Sequence, residues 1–169
     1  EVYIQPAAGD SGGAIGAALY VYHVILGKPR VFKMEHAYWG QDHGGGAVHD
    51  FLKSSNVAYE TVDDDEKLFD RVIDHLTQGK VIGWYQGAFE WGPRALGNRS
   101  ILADARNPKM KDIVNIKIKF REPFRPFAPV VCEEDAQTYF ECDIPVPVPA
   151  DFMLMVYPVR PEYRSRIPA

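Results

Sequence analysis

A segment punctuated by glycine and proline, residues 90–102, constrains the fold of this chain more than any other part of its sequence. It reads Glu-Trp-Gly-Pro-Arg-Ala-Leu-Gly-Asn-Arg-Ser-Ile-Leu. Glycine and proline at such short intervals predict a turn, and this turn carries Arg94 and Arg99, five residues apart. Residues 80–85 predict a buried strand that leads into the turn, and residues 100–103 predict a second strand that leaves it. The sequence therefore predicts a strand–turn–strand unit that displays two arginines.

The turn begins a basic island, which we define as residues 94–125. The island contains nine Lys and Arg residues against three Asp and Glu, a net charge of +6, whereas the whole chain carries −4. Guanidinium groups bind phosphate oxygens in pairs and stay charged, so the island predicts a site for a phosphorylated small molecule. Arg94, Lys119 and Arg125 are the candidates for holding it, because Gly, Pro and Phe residues interleave with them.

Two features of the loops fit that site. Gly92 and Gly97 are expected to let backbone N–H groups approach the anion, and Pro93 and Pro126 are expected to stiffen the loops. The alternative is a solvated basic surface with local ion pairs, such as Arg121 with Glu122. That alternative is favoured for three residues at the start of the following helix: Arg106, Lys109 and Lys111.

A second candidate site lies near the start of the chain. Gly9, Asp10, Gly12 and Gly13 precede a helix of small residues over 14–23, with Asp10 or Ser11 as the expected N-cap. Closely spaced glycines at a helix N-terminus accept a nucleotide phosphate, although they also serve close helix packing.

Alternating helix and strand patterns predict an α/β domain from about residue 60 onward. An amphipathic helix is expected to open at residues 63–65 and to end at Gly79, with Leu68, Val72, Ile73 and Leu76 on one face. A Gly-rich connector is expected over 27–60. The remaining expectations are a helix over 107–119, a strand over 127–132, a short helix over 133–140, an extended linker over 144–149 and a strand over 152–157.

Composition excludes several classes of protein. No apolar run approaches 18 residues, so the sequence predicts no membrane span. Overall acidity argues against broad nucleic-acid binding. Cys132 and Cys142 fit a reduced, cytoplasmic setting, and the five histidines lack metal-ligand spacing.

Three stretches of the chain resemble one family. Residues 85–104 and 115–129 are similar to the C-terminal domain of the carbamoyltransferases that include nodulation proteins and antibiotic-carbamoylating enzymes. Residues 5–19 resemble the last nucleotide-binding segment of the actin-like N-terminal domain of the same family. The resemblance implies that residues 1–60 are the tail of an actin-like domain with a connector. It also implies that residues 61–169 form a YrdC-like twisted mixed sheet with flanking helices, truncated at its C-terminus.

The resemblance also implies a two-step reaction. The YrdC-like domain would combine carbamoyl phosphate with ATP, accompanied by Mg²⁺, to give carbamoyl-adenylate and pyrophosphate. The missing N-terminal actin-like domain would then pass the carbamoyl group to an acceptor hydroxyl, so this chain alone is not expected to complete both steps. By match of motif, the residues expected to hold carbamoyl phosphate and the nucleotide phosphates are the catalytic candidates Arg94, Lys119 and Arg125. The same motifs contain four further residues that are expected to bind phosphate: Asn98, Arg99, Ser100 and Arg121. The residues expected to bind the nucleotide are Gly9, Asp10, Gly12 and Gly13. The resemblance places the family's metal-binding histidines in the upstream actin-like sequence, so no metal ligand is assigned in this chain.

This chain departs from the family pattern at Ala88, where members often carry a basic residue after Gln-Gly, so one phosphate contact is expected to be missing. Two alternatives stay open at this point. One is a YrdC-like enzyme of tRNA modification that uses a threonine-derived carbamoyl donor. The other is a non-catalytic module that binds RNA or phosphate through the basic island, with bases stacked on its aromatic residues.

Overall fold

The structure of the chain, a computed structural model, describes residues 4–167. It is mostly helical and contains one small antiparallel sheet. The helices are α1 (Asp10–Tyr20), α2 (Gly44–Ser54), α3 (Asp65–Thr77), α4 (Met110–Asp112), α5 (Ala136–Tyr139) and α6 (Val148–Asp151). π-Helical turns extend α1 over Val21–Ile25 and α4 over Ile113–Ile118, and 3₁₀ turns cover Glu133–Asp135 and Pro161–Tyr163. Residues 168–169, where the predicted C-terminal truncation falls, lie outside the described residues.

The sheet confirms the predicted strand–turn–strand unit. Strand β1 (Ile82–Tyr85) pairs with β2 (Arg99–Leu102), so that Ile82 faces Leu102 and Tyr85 faces Arg99. The pairing brings the two ends of residues 86–98 together and closes the turn. Exposure alternates along β1, so this strand has one open face instead of the full burial that its sequence predicts.

Helix α1 begins at Asp10, four residues before the helix that the sequence predicts over 14–23. Gly9 is the N-cap, with a φ of 139°, and Asp10 is already the first helical residue. The expected capping by Asp10 or Ser11 is therefore wrong, and no side chain caps this end. A φ in this region favours glycine, which explains why Gly9 occupies the cap.

Helix α2 lies inside the segment that the sequence predicts to be a connector. Its first backbone N–H, from Gly44, donates to the Asp42 carboxylate at 2.8 Å, which gives the helix a polar start. Val48 and Leu52 are four residues apart and both half-buried, so they form the inward face. Three successive glycines conceal this helix in the sequence because glycine lowers helix propensity.

Helix α3 follows its prediction closely. The Asp64 carboxylate caps it by accepting the Lys67 N–H at 3.2 Å, and Gly79 ends it with a φ of 77°. Leu68, Val72 and Leu76 are half-buried as expected, whereas Ile73 is exposed.

The predicted helix over 107–119 is present as α4 and its π-helical extension, but it starts at Met110. The Asn107 carboxamide oxygen accepts the Lys109 N–H at 3.0 Å, and the Asn107 backbone oxygen accepts the Met110 N–H at 2.9 Å. This local turn delays the start of the helix by three residues, from 107 to 110. The short helix expected over 133–140 is confirmed as a 3₁₀ turn and α5.

The strands predicted over 127–132 and 152–157 are wrong. Both segments are irregular, and their central valines, Val130 and Val156, are 85% and 95% exposed. A short antiparallel contact forms instead between residues 140–141 and 158–159. There the Glu141 N–H donates to the Pro158 carbonyl, and Phe140 forms an isolated β-bridge with Val159. Residues 4–167 therefore combine helices with strands, as expected, but they do not form the expected twisted mixed sheet.

The buried apolar core is small. Its members among the described residues are Ala7, Ala37, Met110, Val114, Ala136 and Phe152. The accessible area is 12,567 Å², whereas a compact monomer of this mass exposes about 8,400 Å². In the part of the chain that is described, no helix combines the length and apolarity that a membrane span requires.

Candidate anion-binding site

The turn of residues 86–98 is organised around the Glu90 carboxylate. Its Oε1 atom accepts backbone N–H groups from Leu96, Asn98 and Arg99 at 2.9, 2.8 and 3.1 Å. Burial raises the pKa of Glu90, but these hydrogen bonds outweigh that effect and lower the pKa below its usual value. The turn therefore already holds an anion of its own.

This internal anion changes the expectation for the backbone of the turn. The sequence predicts that N–H groups near Gly97 approach a bound ligand. Instead, the flanking N–H groups bind Glu90, and the Gly97 N–H donates to Ser100 Oγ at 3.1 Å. Ser100 thus holds the turn in shape.

Asn98 is buried beneath the turn and uses both ends of its amide internally. Its Nδ2 donates to the Ala88 carbonyl at 2.8 Å, and its Oδ1 accepts from Gln86 Nε2 at 3.2 Å. These bonds join the two sides of the turn, so Asn98 stabilises the loop that carries Arg94.

The guanidinium of Arg99 is also largely occupied by the protein. It lies between the rings of Tyr85 and Phe89, 3.7 and 3.9 Å from their centroids. Its Nη1 atom donates to the Gln86 carbonyl, and its Nη2 atom donates to the Gly87 carbonyl at 3.0 Å. Its Nε atom is buried and makes no hydrogen bond with a described residue. Arg99 therefore clamps residues 85–89 from within.

Arg94 lies at the outer part of the turn, exposed, and makes no ion pair or side-chain hydrogen bond with residues 4–167. Close by, Gly92 has a φ of 108°, and a Cβ added there would lie 2.7 Å from the Ala7 Cβ. The Ala7 carbonyl in turn accepts the Gly12 N–H at 3.0 Å. Ala7 thus connects the glycine segment of the chain start, including Gly9, Asp10 and Gly13, to the arginine turn.

Two residues of the expected connector, Ala37 and Tyr38, also contact the turn. The Trp91 N–H donates to the Ala37 carbonyl at 2.6 Å, and the Tyr38 hydroxyl donates to the Leu96 carbonyl at 2.7 Å. The sequence gives no periodic signal for these contacts, because residues 30–43 form neither helix nor strand.

A second cluster forms around Asn115, whose side chain is 0% exposed. Its Nδ2 donates to the carbonyls of Pro123 and Arg125 at 3.2 and 2.9 Å, and its Oδ1 accepts from Arg121 Nε at 2.7 Å. One amide therefore fixes the loop over 121–125. Sequence analysis missed this residue, although an asparagine between Val114 and Ile116 is the signal that marks it.

Arg121 is the best-prepared cation of the basic island. Its Nε atom is held by Asn115, and its guanidinium carbon lies 4.8 Å from the centroid of the Phe127 ring. Its two Nη atoms make no hydrogen bond with any described residue. The planar end of the side chain is thus oriented and available for two parallel hydrogen bonds to an anion.

The remaining cations of the island divide into two groups. Arg125 pairs with Glu122 at 3.0 Å, so the local ion pair at Glu122 involves Arg125 in place of Arg121. Arg106 pairs with Asp104 at 2.7 Å, as the local alternative predicts for this residue. Lys119 is exposed at the end of the π-helical turn and has no ion-pair partner within residues 4–167.

The structure therefore brings the predicted site residues together in two groups. Asn98, Arg99 and Ser100 gather around Glu90, and Arg121 and Arg125 gather around Asn115. Among the described residues, no hydrogen bond or ion pair joins one group to the other. No cluster of three or more His, Cys, Asp or Glu side chains in this part of the chain has the arrangement of a metal site.

Comparison with known proteins gives one consistent result. Residues 73–169, more than half of the chain, match the family described as Carbamoyltransferase C-terminus. The nodulation protein NolNO of Sinorhizobium fredii is 42% identical over 173 residues, an alignment that covers 100% of this chain and 25% of that protein.

Two further relatives agree in extent. The 3'-hydroxymethylcephem-O-carbamoyltransferase of Streptomyces clavuligerus is 36% identical over 147 residues, which cover 87% of this chain and 26% of the enzyme. An uncharacterized protein of Synechocystis is 47% identical over 169 residues, which cover 97% of this chain and 27% of that protein. The chain spans about a quarter of the length of the curated relatives it matches.

Proposed function

Because the chain belongs to the carbamoyltransferase C-terminus family, we propose that it supplies the phosphate-binding loops of an enzyme that makes carbamoyl-adenylate. Carbamoyl phosphate, ATP and water are the substrates, and carbamoyl-adenylate, phosphate and pyrophosphate are the products. The observation that carries the proposal is the oriented Arg121 guanidinium, whose two Nη atoms are left without a protein partner among the described residues.

Each cation has a role in this proposal. Arg121 grips phosphate oxygens in a bidentate manner, and Lys119 and Arg125 add positive charge from the same segment. Arg94 contributes from the tip of the other turn. Asn98, Arg99 and Ser100, proposed from the motif as phosphate ligands, act by holding that turn in shape. Fixed cations of this kind stabilise the negative charge on a departing phosphate.

The nucleotide is assigned to the neighbouring glycine segment. Gly9, Asp10, Gly12 and Gly13 lie at the start of α1, and Ala7 links them to the arginine turn through Gly92. Mg²⁺ enters as part of the ATP substrate. The proposal keeps the division of the chain near residue 60 and the kinship of residues 61–169 with YrdC-type domains. Transfer to an acceptor hydroxyl is assigned to an actin-like partner domain.

A titration tests the proposal. Carbamoyl phosphate is added to the chain in a calorimeter, with and without a non-hydrolysable ATP analogue. Wild type is compared with Arg121→Ala and Arg125→Ala, because the guanidinium of each of these arginines bonds to described residues through its Nε atom alone. Arg106→Ala serves as the matched control, because both its Nε and its Nη2 atoms are bonded to Asp104. Loss of one charge-assisted contact, about 1.5–3 kcal/mol, raises the Kd of each of these two variants roughly 10- to 150-fold.

The control is expected to bind within about twofold of wild type, since surface ion pairs contribute little. Equal affinity in Arg121→Ala and wild type would contradict the assignment, and equal affinity in Arg125→Ala would remove Arg125 from the site. Binding of RNA with a steep dependence on salt, and none of carbamoyl phosphate, would favour the RNA-binding alternative instead.

A further inference from the structure

The side chain of Asn115 is buried like that of a core residue, but it bonds to a neighbouring loop. Asn115 lies in an apolar run between Val114 and Ile116, with its side chain fully buried. Burying an amide is unfavourable unless its polar atoms are bonded, and an apolar side chain of the same size would avoid that cost. Every side-chain hydrogen bond of Asn115 goes to the loop over 121–125. The amide therefore serves that loop.

The three bonds fix two properties of the loop. The Oδ1 atom holds Arg121 by its Nε atom, which sets the direction in which the Nη atoms point. The Nδ2 atom holds the carbonyls of Pro123 and Arg125, which sets the course of the backbone on both sides of Phe124. A ligand that meets an ordered arginine avoids the entropy loss of ordering it, so affinity is higher.

We infer that Asn115 is the positioning residue of the phosphate-binding loop: it orients the Arg121 guanidinium without touching the ligand. This inference rests on the proposed function, because it assigns the anion to Arg121. It adds the residue on which that affinity depends and limits the ligand to an anion that accepts two parallel N–H groups, such as a phosphate.

Two substitutions separate positioning from a general loss of stability. Asn115→Leu keeps the branched shape of the side chain, with two methyl groups in place of the smaller amide atoms, and removes all three bonds. Asn115→Asp keeps an acceptor for Arg121 but places its second carboxylate oxygen, in place of Nδ2, against the two carbonyls. We expect each to weaken anion binding roughly tenfold, the effect that loss of an orienting partner has at metal sites.

The experiment measures Kd for pyrophosphate and for carbamoyl phosphate in the full chain, in the wild-type and Arg121→Ala backgrounds. If Asn115 acts through Arg121, Asn115→Leu weakens binding tenfold in wild type and less than about twofold in Arg121→Ala. If it only stabilises the fold, the loss is the same in both backgrounds, and the inference is overturned.

A pH profile of Asn115→Asp gives a second measurement that does not depend on the leucine variant folding. A protonated carboxyl donates one hydrogen bond again, so its affinity deficit relative to wild type is expected to shrink between pH 8 and pH 5. A deficit that stays constant with pH overturns the inference. Pyrophosphate binding that depends on Asn115, without competition by carbamoyl phosphate, would instead reject the proposed function and leave the positioning role intact.

Discussion

Replacement of Glu90 by glutamine tests how the arginine turn is held. In the wild type, one carboxylate oxygen accepts three backbone N–H groups at 2.8–3.1 Å. Glutamine keeps an acceptor oxygen of the same size and removes the charge. A hydrogen bond to a charged group contributes about 1.5–3 kcal/mol and a neutral one about 0.5–1.5 kcal/mol, so each of the three bonds would weaken by about 1–1.5 kcal/mol if it were fully shielded from solvent.

Because Glu90 is only partly buried, solvent reduces that sum. We expect Glu90→Gln to lower the free energy of unfolding by about 1–2 kcal/mol, which corresponds to a drop of roughly 3–6 °C in Tm for a chain of this size. Thermal unfolding followed by circular dichroism measures it. Glu35→Gln is the matched control, because Glu35 is exposed and has no ion-pair partner within the described residues.

The lowered pKa of Glu90 determines how its contribution to stability changes with pH. The pKa of Glu90 is lowered in the folded chain, so its carboxylate stabilises the fold above the unfolded pKa of a glutamate, about 4.3. That contribution is lost as the pH falls through the lower folded pKa. The stability difference between wild type and Glu90→Gln is therefore expected to shrink from pH 6 to pH 3. A difference that is absent at pH 7, or constant with pH, would refute the role given to Glu90.

Three further substitutions have expected outcomes in the same unfolding assay. Gly92→Ala is expected to lower the free energy of unfolding by about 1–3 kcal/mol, because Gly92 has a φ of 108° and its new Cβ would meet Ala7 at 2.7 Å. An unchanged Tm would show that Ala7 moves aside at no cost. Gly16→Ala is expected to raise stability by about 0.5–1 kcal/mol, since no atom lies within 4 Å of the added Cβ in α1, and a lower Tm would contradict this. Arg99→Lys is expected to lower stability by about 1–2 kcal/mol, because lysine lacks the planar fork that lies between Tyr85 and Phe89, and full stability would contradict it.

Local signals in the sequence predict the elements that carry the arginines. Asp64 and Gly79 mark the two ends of α3, and the glycines and proline of residues 90–102 mark the turn between β1 and β2. These features act over a few residues, so a sequence records them directly. The resemblance to carbamoyltransferases is confirmed by the family match over residues 73–169.

Contacts between distant segments are what the sequence does not reveal. The segments around Val130 and Val156 carry strand-like residues, but no described strand lies beside them, and the valines remain exposed. A strand needs a partner, and pairing is not encoded by the residues of one segment alone. The prolines at 126, 129 and 158 also remove N–H groups that a ladder would use.

The same limit applies to the candidate site. The motif places Arg99 and Arg121 in one class of phosphate-binding residue. Geometry separates them, because Arg99 is enclosed by two rings and bonded to carbonyls, whereas the Nη atoms of Arg121 have no partner among the described residues. Glu90 and Asn115 bond to residues six to ten positions along the chain, and which atoms meet depends on the path of the loop, which no local pattern in the sequence predicts.

The roles proposed for the arginines are tested most directly by observing their side chains while ligand is added. In a nitrogen-15-labelled chain, the Nε–Hε resonances of Arg99, Arg121 and Arg125 are assigned by single substitutions and followed during titration with carbamoyl phosphate. We expect the Arg121 and Arg125 resonances to shift in a saturable manner and the Arg99 resonance to stay in place. A shift of Arg99 with Arg121 unmoved would contradict these roles.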